Sequence, residues 1–282
     1  MAGKWRRMYR LLTSRMERKV WRLDRERIEG LAQADLVIVS FPKSGKTWLR
    51  ALITRLYQQR YSLPDGVLIA QDNLHRLNPA IPNIFFSHAC NPLGSVDDLR
   101  SDRSEFRARK VAFLVRHPCD VAVSHYYQLK HRKAGKRENA TRGLGLFDYI
   151  VQPKRGLEYI IAYTNGWWRF VQGNPDACVI RYEELTNSPE VALKRLFALL
   201  GTGFDDREIA DAVEFCSFAK LQQREREGYY NDKALRPADP DDPNSFKVRR
   251  GKIGGYRQDM TEQQAATVES IVRAQLDPAI GY

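Results

Sequence analysis

A chain of 282 residues with 43% hydrophobic content has room for one large α/β domain and a substantial core. Its four cysteines, Cys90, Cys119, Cys178 and Cys216, stand singly, which excludes the paired spacings of structural zinc or a dithiol redox site, and no run of about 18 apolar residues could span a bilayer. A net charge of +12 and a pI near 9.6 call for an anionic ligand, a nucleic acid or an acidic membrane surface.

Residues 1 to 30 carry ten Lys/Arg against four Asp/Glu, so half of the excess charge sits in a short N-terminal extension ahead of a domain at 31 to 282. Met8, Leu12, Met16, Val20 and Leu23 recur at helical spacing among basic residues, which predicts an amphipathic helix. Such a helix can pack on the domain or on a second subunit of a homo-oligomer. It can also lie on anionic lipid with Trp5 and Trp21 at headgroup depth. Reduced thiols and the lack of a signal-peptide apolar region read as a cytoplasmic protein, with the extension placed to touch the inner face of a membrane.

Residues 36 to 41, LVIVSF, form a short apolar run expected of a strand buried on both faces of a parallel sheet. From Thr47 onward, Trp48, Leu49, Leu52, Ile53 and Leu56 repeat as a helix. Between the two lies Pro42-Lys43-Ser44-Gly45-Lys46-Thr47. A helix N-terminus offers unpaired N–H groups and the positive end of its dipole to a phosphate, and Lys43, Lys46, Ser44 and Thr47 add charges and hydroxyls. The nucleotide-binding P-loop needs a Gly where this chain has Ser40, so that match is partial. Phe41 to Trp48 more closely resembles the 5′-phosphosulfate loop of sulfotransferases that use 3′-phosphoadenosine 5′-phosphosulfate (PAPS), usually aromatic-Pro-Lys-Ser-Gly-Thr-Thr-Trp. Lys46 stands in place of the commoner Thr, which keeps a nucleotide kinase in play.

A second buried strand, residues 111 to 116, ends on Arg116, and Pro118 and Asp120 open a helix. Ser124 falls four residues after Asp120 on the same helix face. This resembles the family's 3′-phosphate motif, R-x-x-x-D-x-x-x-S followed by paired aromatics, here Tyr126 and Tyr127. A third segment, Val248 to Arg257, follows a Pro- and Asp-rich stretch, Leu235 to Phe246, that reads as a mobile loop. It resembles the family's R-K-G-x-x-G-D-W-K, with Arg250, Gly255, Tyr256 and Arg257 as departures. The resemblance implies that Arg249, Arg250 and the Gly251 N–H grip a 3′-phosphate. Weaker echoes bring Tyr182, at the end of a strand through Cys178, and Ser217 with Phe218 toward the adenosine.

These matches run in family order and imply an α/β three-layer sandwich with a central parallel sheet and a P-loop-like phosphosulfate-binding loop. The implied reaction transfers a sulfuryl group from PAPS to a hydroxyl of a carbohydrate, lipid or small alcohol, with no metal and no nucleic acid as partner. Five histidines can supply a base: His75, His88, His117, His125 and His131. The family's base is the His of Lys-x-His, matched by His88, while Phe86 stands where that Lys should be and Lys46 is placed to replace its charge. In the implied roles Lys43 and the Gly45 to Trp48 N–H groups stabilise the leaving phosphate, and Ser124 with Arg116 holds the 3′-phosphate. Segments 57 to 82 and 128 to 156, with Tyr57, Tyr61, His75 and Phe147, are expected to line the acceptor pocket. The competing readings are a P-loop nucleotide kinase needing ATP and Mg, and a non-enzymatic basic RNA- or membrane-binding protein.

Overall fold

The computed structural model describes residues 28–132, 141, 143–232 and 235–282. Four strands, β1 (Leu36–Val39), β2 (Ile84–Ser87), β3 (Lys110–Val115) and β4 (Ala177–Arg181), pair in parallel in the order β2-β1-β3-β4. Strand β1 is central, and all four of its residues are fully buried, which is why it reads as an unbroken apolar run.

Alternate side chains point to opposite faces. Val37, Val39, Val111, Phe113 and Val115 join one core with helices α2 (Pro118–Arg132), α3 (Gly156–Gln172) and α8 (Glu262–Gln275) through Val121, Ile160, Trp167 and Val268. Leu36, Ile38, Ala112 and Leu114 join the other core with α1 (Lys46–Tyr61), α5 (Pro189–Leu200), α6 (Asp206–Phe215) and α7 (Phe218–Glu227) through Leu49, Leu52, Leu56, Leu196, Ile209 and Leu221. The result is the expected three-layer α/β sandwich. Each fully buried aliphatic side chain contributes about 1.5–3 kcal/mol.

The strands match their sequence expectations with ends trimmed. β1 stops at Val39 rather than residue 41 because the chain turns through left-handed backbone at Lys43 (φ 75°) and Gly45 (φ 98°). β3 spans Lys110–Val115, which leaves Arg116 just beyond its carboxyl end. A short helix α4 (Tyr182–Asn187) continues directly from β4.

Of the amphipathic extension expected over residues 1 to 30, residues 1–27 lie outside the described residues. Residues 28–33 are helical, and a Cβ on Gly30 would stand 2.5 Å from the Phe85 ring, so packing on the domain begins just before residue 31. The stretch Leu235 to Phe246 differs from the expected mobile loop. Leu235, Ser245 and Phe246 are buried, the Asp242 side chain accepts from Asn244 N–H to cap a single 3-10 turn, and His131 Nδ1 meets Asp242 at 2.8 Å. Asp and Pro here build defined turns that carry a hydrophobic anchor.

Candidate active site

Residues just beyond the carboxyl ends of β1, β2, β3 and β4, among them Lys43, His88, Arg116 and Tyr182, converge as ligand-binding residues do in open parallel sheets. They open on a cavity of about 750 Å³. Of the residues singled out in the sequence, Lys43, Gly45, Lys46, Thr47, Trp48, His88, Arg116, Ser124, Tyr182, Ser217, Phe218, Arg249, Arg250 and Gly251 all line it. Ser44 is the exception: it is buried under the loop, and its N–H closes a turn onto the Phe41 carbonyl at 3.4 Å.

The loop before α1 is fixed by Tyr182. A Cβ on Gly45 would lie 2.5 Å from the Tyr182 ring, and Gly45 caps α1 in left-handed backbone, so both sterics and conformation demand glycine. Tyr182 also donates its hydroxyl to the Gly251 carbonyl at 3.1 Å and carries the Arg116 guanidinium over its ring at 4.2 Å. Trp48 donates its indole N–H to the Cys216 carbonyl at 2.9 Å, tying α1 to the Ser217-Phe218 corner.

Arg116 donates to the carbonyls of Lys252 (2.9 Å) and Lys43 (3.4 Å) and pairs with Asp120 at 3.5 Å, so it joins the first loop to the third segment. Asp120 accepts the N–H groups of Gly254 (2.9 Å) and Tyr256 (3.0 Å), which adds to its expected place near the start of α2 a second role as clasp for the C-terminal loop. Gly251 is left-handed, and a Cβ there would meet the Phe218 ring at 2.4 Å. Arg249 and Arg250 share Asp259, at 3.7 and 2.8 Å, and Tyr127 donates to the same carboxylate at 3.1 Å. Arg116 Nε and Arg249 Nη1 are buried without a hydrogen-bond partner among the described residues. The rest of both guanidinium groups lines the cavity, where positive charge suits an anion.

His88 stands one residue past β2. Its Nδ1 faces the Ser40 carbonyl at 2.8 Å, and its Nε2 lies 3.1 Å from Lys46 Nζ. Burial, then Lys46, pulls the imidazole down to about 3; burial, then Arg50 and Lys247, pulls Lys46 down to about 7. Of the remaining histidines, His125 also lines the cavity, with Nδ1 at 3.0 Å from the Tyr149 hydroxyl. His75 is turned to the Ile81 carbonyl, His117 stacks on Tyr256 and His131 pairs with Asp242.

The two segments expected to line an acceptor pocket contribute little to this cavity, although Tyr149, Gln152 and Arg155 line a smaller pocket that shares Pro92, Leu93 and His125 with it. No residue of segment 57 to 82 lines the cavity: Tyr57 is buried against Phe197, Phe204 and Tyr61 at the far end of α1. From segment 128 to 156 only Gln128 and Leu129 reach it among the described residues. The wall beside His88 is instead Asn91, Pro92, Leu93, His125 and Lys247, whose Nζ donates to Gln128 at 3.1 Å. Two supports were also not singled out. Glu225, buried on α7, accepts the Lys247 and Val248 N–H groups, and Gln222 donates to the Val248 carbonyl at 2.9 Å. A charged face on a helix gave no signal of this; their offset of three was the only hint that both meet one strand of loop.

A parallel α/β sheet with anion donors gathered beyond its carboxyl edge defines a protein built to hold a phosphorylated nucleotide. Residues 33–278 match the family model of the sulfotransferase domain, and the chain belongs to that family of PAPS-dependent sulfotransferases. Arabidopsis thaliana cytosolic sulfotransferase 16 is 29% identical over 259 residues, covering 84% of this chain and 75% of its own. Cytosolic sulfotransferase 17 of the same plant is 25% identical over 84% of this chain and 73% of its own. Among solved structures, a mouse sulfotransferase complexed with PAP superposes with a TM-score of 0.57 at 19% identity, covering 86% of this chain and 84% of its own. Retinol dehydratase in complex with androsterone and PAP gives 0.55 at 15% identity, covering 86% and 80%. Family membership decides between the two enzyme readings: the chain is a PAPS-dependent sulfotransferase rather than a nucleotide kinase.

Proposed function

We propose that the protein transfers a sulfuryl group from PAPS to a hydroxyl of an acceptor, with His88 as general base and adenosine 3′,5′-bisphosphate (PAP) as the leaving product. The observation that carries this reading is the meeting of His88 Nε2 with Lys46 at 3.1 Å, in the same cavity as Lys43 and the arginines of the second and third segments.

PAPS as donor supplies an activated sulfur bound through oxygen to the 5′-phosphate. Arg116, Ser124, Arg249 and the Gly251 N–H hold the 3′-phosphate, while Tyr182, Ser217 and Phe218 border the adenosine. Lys43, Thr47 and the N–H groups at the start of α1 receive the charge that builds on the bridging oxygen as the sulfur–oxygen bond breaks. The Ser40 carbonyl fixes the Nδ1–H tautomer of His88, so Nε2 takes the acceptor proton as the acceptor oxygen bonds to sulfur. Lys46 supplies a cation near the sulfonate that Phe86 does not.

Acceptors are hydroxyl-bearing carbohydrates, lipids or small alcohols, entering beside Asn91, Leu93, His125 and Lys247. The cytosolic relatives support the same compartment for this chain, and residues 1 to 30 are proposed as its contact with membrane or with a second subunit. The test is His88→Ala: it should keep the thermal stabilisation given by PAP and lose turnover of PAPS with a panel of alcohols. Wild-type turnover would remove His88 from the mechanism.

A further inference from the structure

In-line transfer puts the sulfur between two oxygens, the one that leaves and the one that attacks. In the mechanism above Lys43 attends the leaving oxygen and His88 the attacking one, so the other sulfonate oxygens lie in the gap between those side chains. Strand β2 brings no cation to that gap, because Phe86 turns its ring to the Arg50 guanidinium at 5.8 Å. Lys247 borders it instead. Its carbonyl accepts from Lys43 Nζ at 3.4 Å, it lines the cavity together with His88, and its charge weighs against protonation of both His88 and Lys46.

We propose that Lys247 is a catalytic residue of this chain: its ammonium donates to the sulfonate oxygens of bound PAPS and holds them through the transfer. This rests on His88 being the base and on Lys43 serving the leaving oxygen. As the acceptor oxygen bonds to sulfur, the bond from sulfur to the bridging oxygen breaks, the electron pair stays on that oxygen, and the acceptor proton goes to His88 Nε2. The sulfonate oxygens carry negative charge throughout, and an ammonium offers them only donors.

The surrounding chain sets the position of Lys247. Phe246, one residue before it, is buried, and the buried Glu225 carboxylate accepts the N–H groups of Lys247 and Val248. From this held backbone the side chain extends to α2, where Oε1 of the buried Gln128 accepts from Lys247 Nζ at 3.1 Å. A neutral amide positions an ammonium without cancelling its charge, as a carboxylate would. Lys46, the other lysine beside His88, is pulled down to about 7 by burial, then by Arg50 and Lys247, so near neutral pH it is divided between charged and neutral forms. Lys247 adds charge that Lys46 does not hold in full. The strip that grips the 3′-phosphate with Arg249 and Arg250 thereby reaches the sulfonate as well, and it tells PAPS from the product PAP.

The test compares these two nucleotides in the absence of acceptor. PAPS and PAP are titrated separately into full-length wild type and Lys247→Met, at one neutral pH and one salt concentration. Loss of the ammonium should weaken PAPS about tenfold or more and leave PAP within about twofold, because PAP has no sulfonate. Methionine keeps the backbone N–H and carbonyl that meet Glu225 and Lys43, and Lys247→Gln replaces it should that variant fold poorly. Equal losses for both nucleotides would assign Lys247 to the 5′-phosphate, and no loss for either would leave it to the acceptor or the scaffold. Both outcomes overturn the proposal. The mechanism fails separately: full turnover by His88→Ala removes the base from which the sulfonate was placed, whereas an inactive His88→Ala with an unchanged PAPS preference in Lys247→Met removes Lys247 alone.

Discussion

Replacing Glu225 by Gln alters one atom of a buried carboxylate that lies beneath the third phosphate segment. That carboxylate accepts two backbone donors, one oxygen from Lys247 N–H and the other from Val248 N–H at 2.8 Å, immediately before Arg249 and Arg250. A glutamine accepts with one oxygen and turns an NH₂ toward the second N–H, which leaves two donors face to face in a buried place. Losing one charged hydrogen bond costs about 1.5–3 kcal/mol. Taking about 2 kcal/mol, the melting midpoint should fall by roughly 4–8 °C at this chain length. Because the disturbed backbone continues into Arg249 and Gly251, PAP affinity should fall as well, by about tenfold for 1.4 kcal/mol of loop disorder. Differential scanning calorimetry and a PAP titration measure the two quantities on one sample. A variant that melts within about 1 °C of wild type, or one that loses stability yet binds PAP unchanged, refutes the claim that this carboxylate shapes the arginine segment.

Gly45→Ala should weaken PAP binding at least tenfold in the same titration, since its Cβ meets Tyr182 at 2.5 Å and its φ of 98° is strained for alanine. Arg116→Ala should lower PAP affinity by about 1.5–3 kcal/mol, roughly 10- to 100-fold, and should also raise protease sensitivity around residue 252, because Arg116 holds the Lys252 carbonyl. The depressed pKa of His88 has a definite pH signature: the unfolded imidazole titrates near 6.5 and the folded one near 3, so the unfolded chain binds the extra proton between them. Stability therefore falls as pH drops from about 6.5 toward 3, and His88→Gln should flatten that limb in melting curves collected against pH. Asp120→Asn should uncouple the C-terminal loop, seen as faster amide exchange at Gly254 and Tyr256 with that of β1 unchanged.

Local chemistry made much of the site legible. Strand β1, the glycine before α1, Arg116 with Ser124, and Arg249 to Gly251 each carry residue types whose spacing reports how they meet an anion, and all of them line one cavity. The wall of the cavity beside His88 was not legible, because it depends on which end of a helix faces the sheet edge. Tyr57 follows the phosphate loop by only ten residues, but α1 runs away from the cavity and carries it into the far core. Lys247 and Gln128 lie 119 residues apart and meet through a loop closure that no periodicity encodes. The Leu235 to Phe246 stretch misled because turn-forming Asp and Pro are common to free loops and to pinned ones, and only the burial of Phe246 separates the two.

The two N–H groups that Asp120 receives from Gly254 and Tyr256 also set a timetable for the newly made chain. A ribosome delivers the loop before α1 early and the sheet by residue 181, yet the strip that completes the cavity follows more than sixty residues later. Until then the sheet lacks both the strip that bears Arg249 and Arg250 and helix α8, which seals one of its faces through Val268 and Val272. A chain cut short before residue 250 would lose part of a core together with the two arginines, so completion of the fold and closure of the cavity are one late event.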